Sequence, residues 1–267
     1  MDNLRNAARQ LLADKKVNVV IGFSEGSSGR VRACFITDPA KTDQLVFDDR
    51  CNENLAHFLT KHEVRHLGKA AIVATIPVMR TILMLVAENQ VKEENVIVLG
   101  ISPDGQLLDI PNYEVMQNFL LKAESDHPAK EKDLISKVRQ MNLDQRFEFW
   151  KNELDRCIKC YACRAACPLC FCTRCTAESN QPQWISVPSH IRGNVEWHIL
   201  RAMHLAGRCI SCGDCSRACP MNIPISALPM YLADVVQESF GVKAGLSATM
   251  PSVLSTFKPN DKENFIR

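Results

Sequence analysis

Cysteine constrains this chain more than any other residue. Of its thirteen cysteines, eleven fall between positions 157 and 219. Cys157, Cys160, Cys163 and Cys167, followed by Pro168, make a run C-x2-C-x2-C-x3-C-P. Cys209, Cys212, Cys215 and Cys219, followed by Pro220, repeat it. Thiols with two or three residues between them are too close for most mutual disulfides and suit a metal. The fold must therefore bend two loops around inorganic centres.

The spacing says which centres. It is the run of two-cluster bacterial ferredoxins, in which the fourth cysteine of each run serves the other cluster. The expected ligands are Cys157, Cys160, Cys163 and Cys219 for one [4Fe–4S] cluster, and Cys209, Cys212, Cys215 and Cys167 for a second. Three cysteines at this interval wrap a cubane, and the fourth comes from elsewhere to complete it. Exchanging fourth ligands ties the loops together and brings the clusters close enough for rapid electron exchange. Proline after the fourth cysteine fixes φ and ends the turn. The competing reading, a pair of structural zinc sites, prefers cysteine pairs separated by a longer gap. Arg156, Lys159, Arg164, Arg174, Arg208 and Arg217 crowd these loops. They are either cations that offset cluster charge or ordinary surface charge. Ile158 and Tyr161, between ligands, are expected to shield the first cluster.

Cys170, Cys172 and Cys175 are surplus to this template. Their C-x-C-x2-C spacing predicts a third iron–sulfur centre short of one ligand; the alternative is cysteines that merely pack near the clusters. Cys34 and Cys51 are the candidates for the missing ligand. Cys51 is preferred because it precedes a predicted helix over 52–64, with Asn52 as N-cap, where the helix dipole favours a thiolate.

The rest of the chain reads as a scaffold. Strands are predicted at 17–23, 31–37, 69–75 and 95–101, the first two paired as a hairpin, and a helix at 78–89. Strand–helix–strand over 69–101 predicts a parallel βαβ unit. The fold class is thus an α/β N-terminal domain (1–105) joined by a helical linker (106–150) to a dicluster ferredoxin-like domain (151–241), with an extended tail (242–267) that lies on a partner. Helices are expected at 194–207, capped by Asn194, and at 226–241. The apolar stretch 70–87 contains Pro77 and Arg80, the latter costing about 2.5–3.5 kcal/mol in a bilayer, so a strand and a core helix are expected and no membrane span. A net charge of +2 argues against nucleic acid as a partner. The opening "MDNLRNAARQLLADKK" reads as an amphipathic helix without the apolar run of a secretory signal, which predicts a reducing, cytoplasmic setting. The loop "GFSEGSSGR" matches no phosphate-binding pattern, and His57, His62 and His66 read as surface residues.

The segments "RFEFWKNELDRCIKCYACRAACPLCFCTRC" and "HLAGRCISCGDCSRACPMNIPI" resemble iron–sulfur proteins related to the beta subunits of deazaflavin-reducing hydrogenase and formate dehydrogenase. These accompany heterodisulfide-reductase-type or hydrogenase complexes in anaerobes. The CP-x-C-x-C feature is also similar to sulfhydrogenase beta subunits and to the A subunit of anaerobic sulfite reductase. "VNVVIGFSEGSSGRVRACFI" and "FDDRCNENLAHFLTK", which contains Cys51, carry the likeness to the N-terminal part. The resemblance implies an electron-transfer subunit that works with other subunits of a redox complex. Flavin-handling members carry a polar "KGCD"-like segment after the third strand, where this chain reads "ATIPVMRTI". A chain without its own flavin is therefore expected, with a flavin-carrying oxidoreductase subunit as the alternative.

Overall fold

The computed structural model describes residues 1–123, 127–176, 178, 182–250, 252–256 and 259. The chain forms two compact units: Met1–Ser125 with Gly245–Met250, and Asp126–Ala244 with Pro251–Arg267.

In the first unit, α1 (Asp2–Ala13) buries Leu4, Ala8 and Leu12, one stripe at four-residue spacing. The buried strand β1 (Val19–Glu25) pairs antiparallel with β2 (Val31–Ile36), so "GFSEGSSGR" is a hairpin connection, and also with the short β3 (Leu45–Val46). A short helix, α2 (His62–Arg65), leads to β4 (Ala70–Ala74), which runs parallel to β1. Then α3 (Ile76–Ala87) crosses to β5 (Val96–Gly100), parallel to β4, which is the predicted βαβ unit. The sheet order is β2-β1-β4-β5, with β3 beside β1. Every residue of β4 is buried, as are residues 78–85 of α3, so the apolar stretch is core. Among the described residues no helix is long and apolar enough to cross a membrane.

The expected helix over 52–64 does not form as one element. Asn54, not Asn52, is the cap; its side chain accepts the Ala56 N–H and opens a 3-10 turn, Leu55–Thr60. Asn54 is buried and also donates to Thr81 Oγ1 at 2.8 Å. That anchor on α3 moves the start of the turn and leaves Cys51 outside any helix.

The region expected as a linker is shared between the units. Tyr113, Met116 and Leu120 of α4 (Tyr113–Lys122) are buried in the first. The second contains α5 (Ala129–Gln140), α6 (Leu143–Asp155), α7 (Ala162–Ala165), α8 (Ile191–His204), α9 (Asp214–Arg217) and α10 (Ala227–Phe240). The sparse apolar residues Ile135, Val138 and Leu154 suffice to seat α5 and α6, because each faces inward. α6 packs on α8, and α10 on both α5 and α8. Gly245–Met250, part of the expected tail, belongs to the first unit, where the Ala248 N–H donates to Gln117 Oε1 at 3.1 Å. Most of the chain beyond it lies outside the described residues.

Candidate metal centres

The core of the second unit is partly made of thiols. Cys163, Cys215 and Cys219 are buried in one apolar cluster with Leu154, Ile185, Trp197, Ile223 and Ile225. None of the thirteen cysteines is in a disulfide. Cys157, Cys160, Cys163 and Cys219 line a single cavity of about 330 Å3. Three come from the first run and one from the second, the crossed set expected from the spacing. Cys209, Cys212 and Cys215 each interact electrostatically with Cys167, so the other crossed set is also together.

The two loops are built alike. Lys159 (φ 52°) and Tyr161 (φ 59°) are left-handed in the first; Ser211 (φ 64°) and Gly213 (φ 79°) stand at the same places in the second. Left-handed residues between right-handed ones curl the backbone into a cup and turn N–H groups inward. The Lys159 N–H donates to Cys157 Sγ at 3.4 Å, and the Ser211 N–H donates equivalently to Cys209. The Asp214 and Leu169 N–H groups serve Cys212 and Cys167. Short helices follow each cup, α7 and α9, and pack on each other.

Guanidinium groups latch these loops through carbonyl oxygens. Arg156 donates to Met221 O at 3.1 Å, joining the two runs, and Arg217 donates to Cys212 O at 2.8 Å. Arg164 donates to Cys172 O at 2.6 Å, and Arg208 to Leu169 O at 3.3 Å. Lys159 Nζ donates to Ser186 O and is buried, so it is no surface charge. Tyr161 packs on Trp197 with ring centroids 5.3 Å apart and is half-buried, whereas Ile158 remains 54% exposed and shields only one edge.

Helix α8 supplies functional residues that the sequence reading missed. It starts at Ile191, capped by His190, not at Asn194. Asn194 lies inside the helix, fully buried, and its Nδ2 donates to Leu154 O (3.0 Å) and Cys157 O (2.9 Å), fixing the entry to the first loop. His198 Nε2 is 3.3 Å from Cys157 Sγ. Burial pushes this imidazole down to about 3, so the ring is neutral. Were Cys157 a ligating thiolate it could only accept, and the ring proton would stand on Nε2. Arg201 is 5% exposed and donates to Cys163 O at 3.0 Å. Burial opposes its charge, but Cys215, Cys167, Cys170 and Cys163 around it hold it protonated. The spacing of Asn194, His198 and Arg201 on one helical face was the available signal.

Burial pushes the Cys163 and Cys209 thiols up to about 12, and raises Cys212 and Cys215 as well. These groups are neutral near pH 7 and give up protons to a metal. Among the described residues no group of three His, Cys, Asp or Glu side chains stands ready to hold a metal ion. The Arg201 Nε and Trp197 Nε1 donors are buried without a hydrogen-bond partner among the described residues. Trp197 lines the first cavity, and the sulfides of a cluster are acceptors that such N–H groups fit.

Cys170, Cys172 and Cys175 line another cavity, of about 440 Å3. Cys51 is in the first unit, in a loop where its thiol accepts the Asp48 N–H at 3.4 Å and contacts Val46 O at 3.8 Å. Burial raises its proton affinity, and no helix begins there, so the dipole argument for choosing it fails. Cys34 lies on β2, its thiol likewise raised by burial. The polar cleft of the first unit, about 900 Å3 and lined by Arg65, Lys69, Asn89 and Lys92, is at the amino ends of β4 and β5. Parallel sheets bind nucleotides and flavins at the opposite, carboxyl ends.

Residues 153–223 match the family model of the 4Fe-4S dicluster domain. The chain is 32% identical over 126 residues to the F420-dependent formate dehydrogenase subunit beta of Methanocaldococcus jannaschii, covering 46% of this chain and 32% of that protein. It is 31% identical over 107 residues to the F420-dependent formate dehydrogenase 1 subunit beta of Methanococcus maripaludis, covering 40% of this chain and 27% of that one. The matches thus span about a third of these relatives or less. The expected kinship with the iron–sulfur beta subunits is borne out, and so is a domain for two [4Fe–4S] clusters.

Proposed function

We propose that this chain is an electron-transfer iron–sulfur subunit of a multisubunit oxidoreductase of the formate dehydrogenase, hydrogenase or heterodisulfide-reductase type. Cys157, Cys160, Cys163 and Cys219 hold one cluster; Cys209, Cys212, Cys215 and Cys167 hold the other. The carrying observation is the crossed set of four thiols around one cavity. Crossing makes each loop a wall of both sites, so the clusters are neighbours by construction. The clusters would supply one-electron steps between a donor and an acceptor in partner subunits. The chain's own residues do the rest: buried apolar side chains exclude water, Arg201 offsets thiolate charge, and His198 and Asn194 hold Cys157 in place. No nucleophile or proton-transfer dyad is required of it.

The test is anaerobic purification of the full chain with iron, acid-labile sulfide and flavin analysis, followed by EPR of the reduced protein. Two interacting [4Fe–4S] signals without flavin support the reading. Stoichiometric flavin in the isolated chain would sink it in favour of a flavin-carrying subunit. Zinc without sulfide would sink both. Co-purified partners would name the complex.

A further inference from the structure

We propose that Cys170, Cys172 and Cys175 hold a third iron–sulfur cluster, and that His204 of the same unit, not Cys51, is its fourth ligand. The proposal rests on the dicluster reading above, since this site shares a wall with the second cluster.

The cavity that these three cysteines line is separate from the one assigned to the first cluster, sharing only Trp197 with it. Besides the cysteines, its lining is Leu169, Leu205, Trp197, three arginines and His204. His204 is thus the one further side chain among the described residues of that lining that can ligate iron. The arginines suit an anionic occupant. Arg201 is more than nine-tenths buried, lines this cavity, and its Nε has no hydrogen-bond partner among the described residues. Trp197 lines both cavities, and its Nε1 is the donor already matched to the first. Buried donors without acceptors are expensive, and cluster sulfides would relieve them. The cavity wall is also secured: Arg164 holds Cys172 O, and Arg208 holds Leu169 O and lies 5.4 Å over the Phe171 ring.

On α8, Trp197, Arg201 and His204 recur at spacings of four and three, so one helical face brings the orphan Arg201 donor and the imidazole to this cavity. Cys170 and Cys167 are in direct thiol–thiol hydrogen-bond contact. The third site therefore adjoins the second cluster's ligand set, and Cys172 and His204 are exposed, which makes the third centre the solvent-facing end of an electron path. Cys51 is already engaged within the first unit and is not needed.

The experiment uses the full chain, purified anaerobically, with iron and sulfide counts, EPR, and electron–nuclear double resonance of 15N-histidine-labelled protein. Wild type is expected to hold roughly twelve irons, the content of three cubanes. The double variant Cys172→Ser, Cys175→Ser should lose one third of them while both remaining cluster signals persist. Cys51→Ser should lose none. The strong nitrogen coupling of a directly bound imidazole, beyond the weak one His198 gives at Cys157, should be present in wild type and absent in His204→Cys, which keeps the iron. Eight irons in wild type, unaltered by the double serine change, would overturn the third cluster. Loss of all clusters in wild type would instead refute the dicluster reading. Absence of the strong nitrogen coupling, or loss of iron in Cys51→Ser, would overturn the assignment of His204.

Discussion

Burial holds the His198 ring neutral 3.3 Å from the sulfur of Cys157, which as a ligand of the proposed first cluster would accept its N–H. A hydrogen bond to a ligating sulfur stabilises the more negative, reduced cluster. His198→Phe is therefore expected to lower the potential of the cluster at Cys157, by about 20–60 mV if one net hydrogen bond is lost. Potentiometric EPR titration checks this, and the other cluster serves as the internal reference. Asn194→Ala removes two hydrogen bonds, while Leu154 O keeps the Cys157 N–H and Cys157 O keeps Ser189 Oγ. A destabilisation of about 1–3 kcal/mol is expected, read from denaturant unfolding of the holoprotein. Both residues were present in the sequence as members of an ordinary helix. Only the fold shows that they face Cys157, because a side chain's partner across forty residues is invisible to local periodicity.

At the scale of elements, the two cysteine loops carry the same left-handed positions with different residues. Ser211 is strained at φ 64°, whereas Gly213 takes φ 79° freely. Ser211→Gly should stabilise the second unit by about 0.4–1 kcal/mol. Gly213→Val should destabilise it by about 1–2 kcal/mol, and its Cβ would also meet Arg217 Nη1 at 2.9 Å. Thermal unfolding of the pair of variants tests both signs. The strands and the βαβ unit were legible because buried parallel strands read as continuous apolar runs. The 52–64 helix was misplaced because two asparagines could each cap it. Tertiary burial of Asn54 against Thr81 chose between them. The α8 boundary failed for the same reason: Asn194 looked like a cap and is a buried strut.

The whole molecule is two units of different character. The first has an aliphatic core, with Ile21, Ile72, Ile82, Leu83 and Leu85 fully buried. The second builds its core around thiols, of which burial keeps Cys163 and Cys215 protonated without metal. Its folding is therefore coupled to its clusters. Oxidative stripping of iron in the presence of a chelator is expected to abolish the unfolding transition of the second unit and leave that of the first, as seen by calorimetry. A single transition, lost entirely on stripping, would refute this. The sequence by itself determined the centres: cysteine spacing is a local property, and a loop of such short span has few ways to present three thiols. The same run is what the proposed crossing of the fourth ligands rests on. Only the tertiary structure decided what surrounds them. Arg201, His198 and the lining of the third cavity are placed by the packing of α8 against loops distant in sequence, and the dipole argument for Cys51 failed because a capping residue three positions away had a better partner.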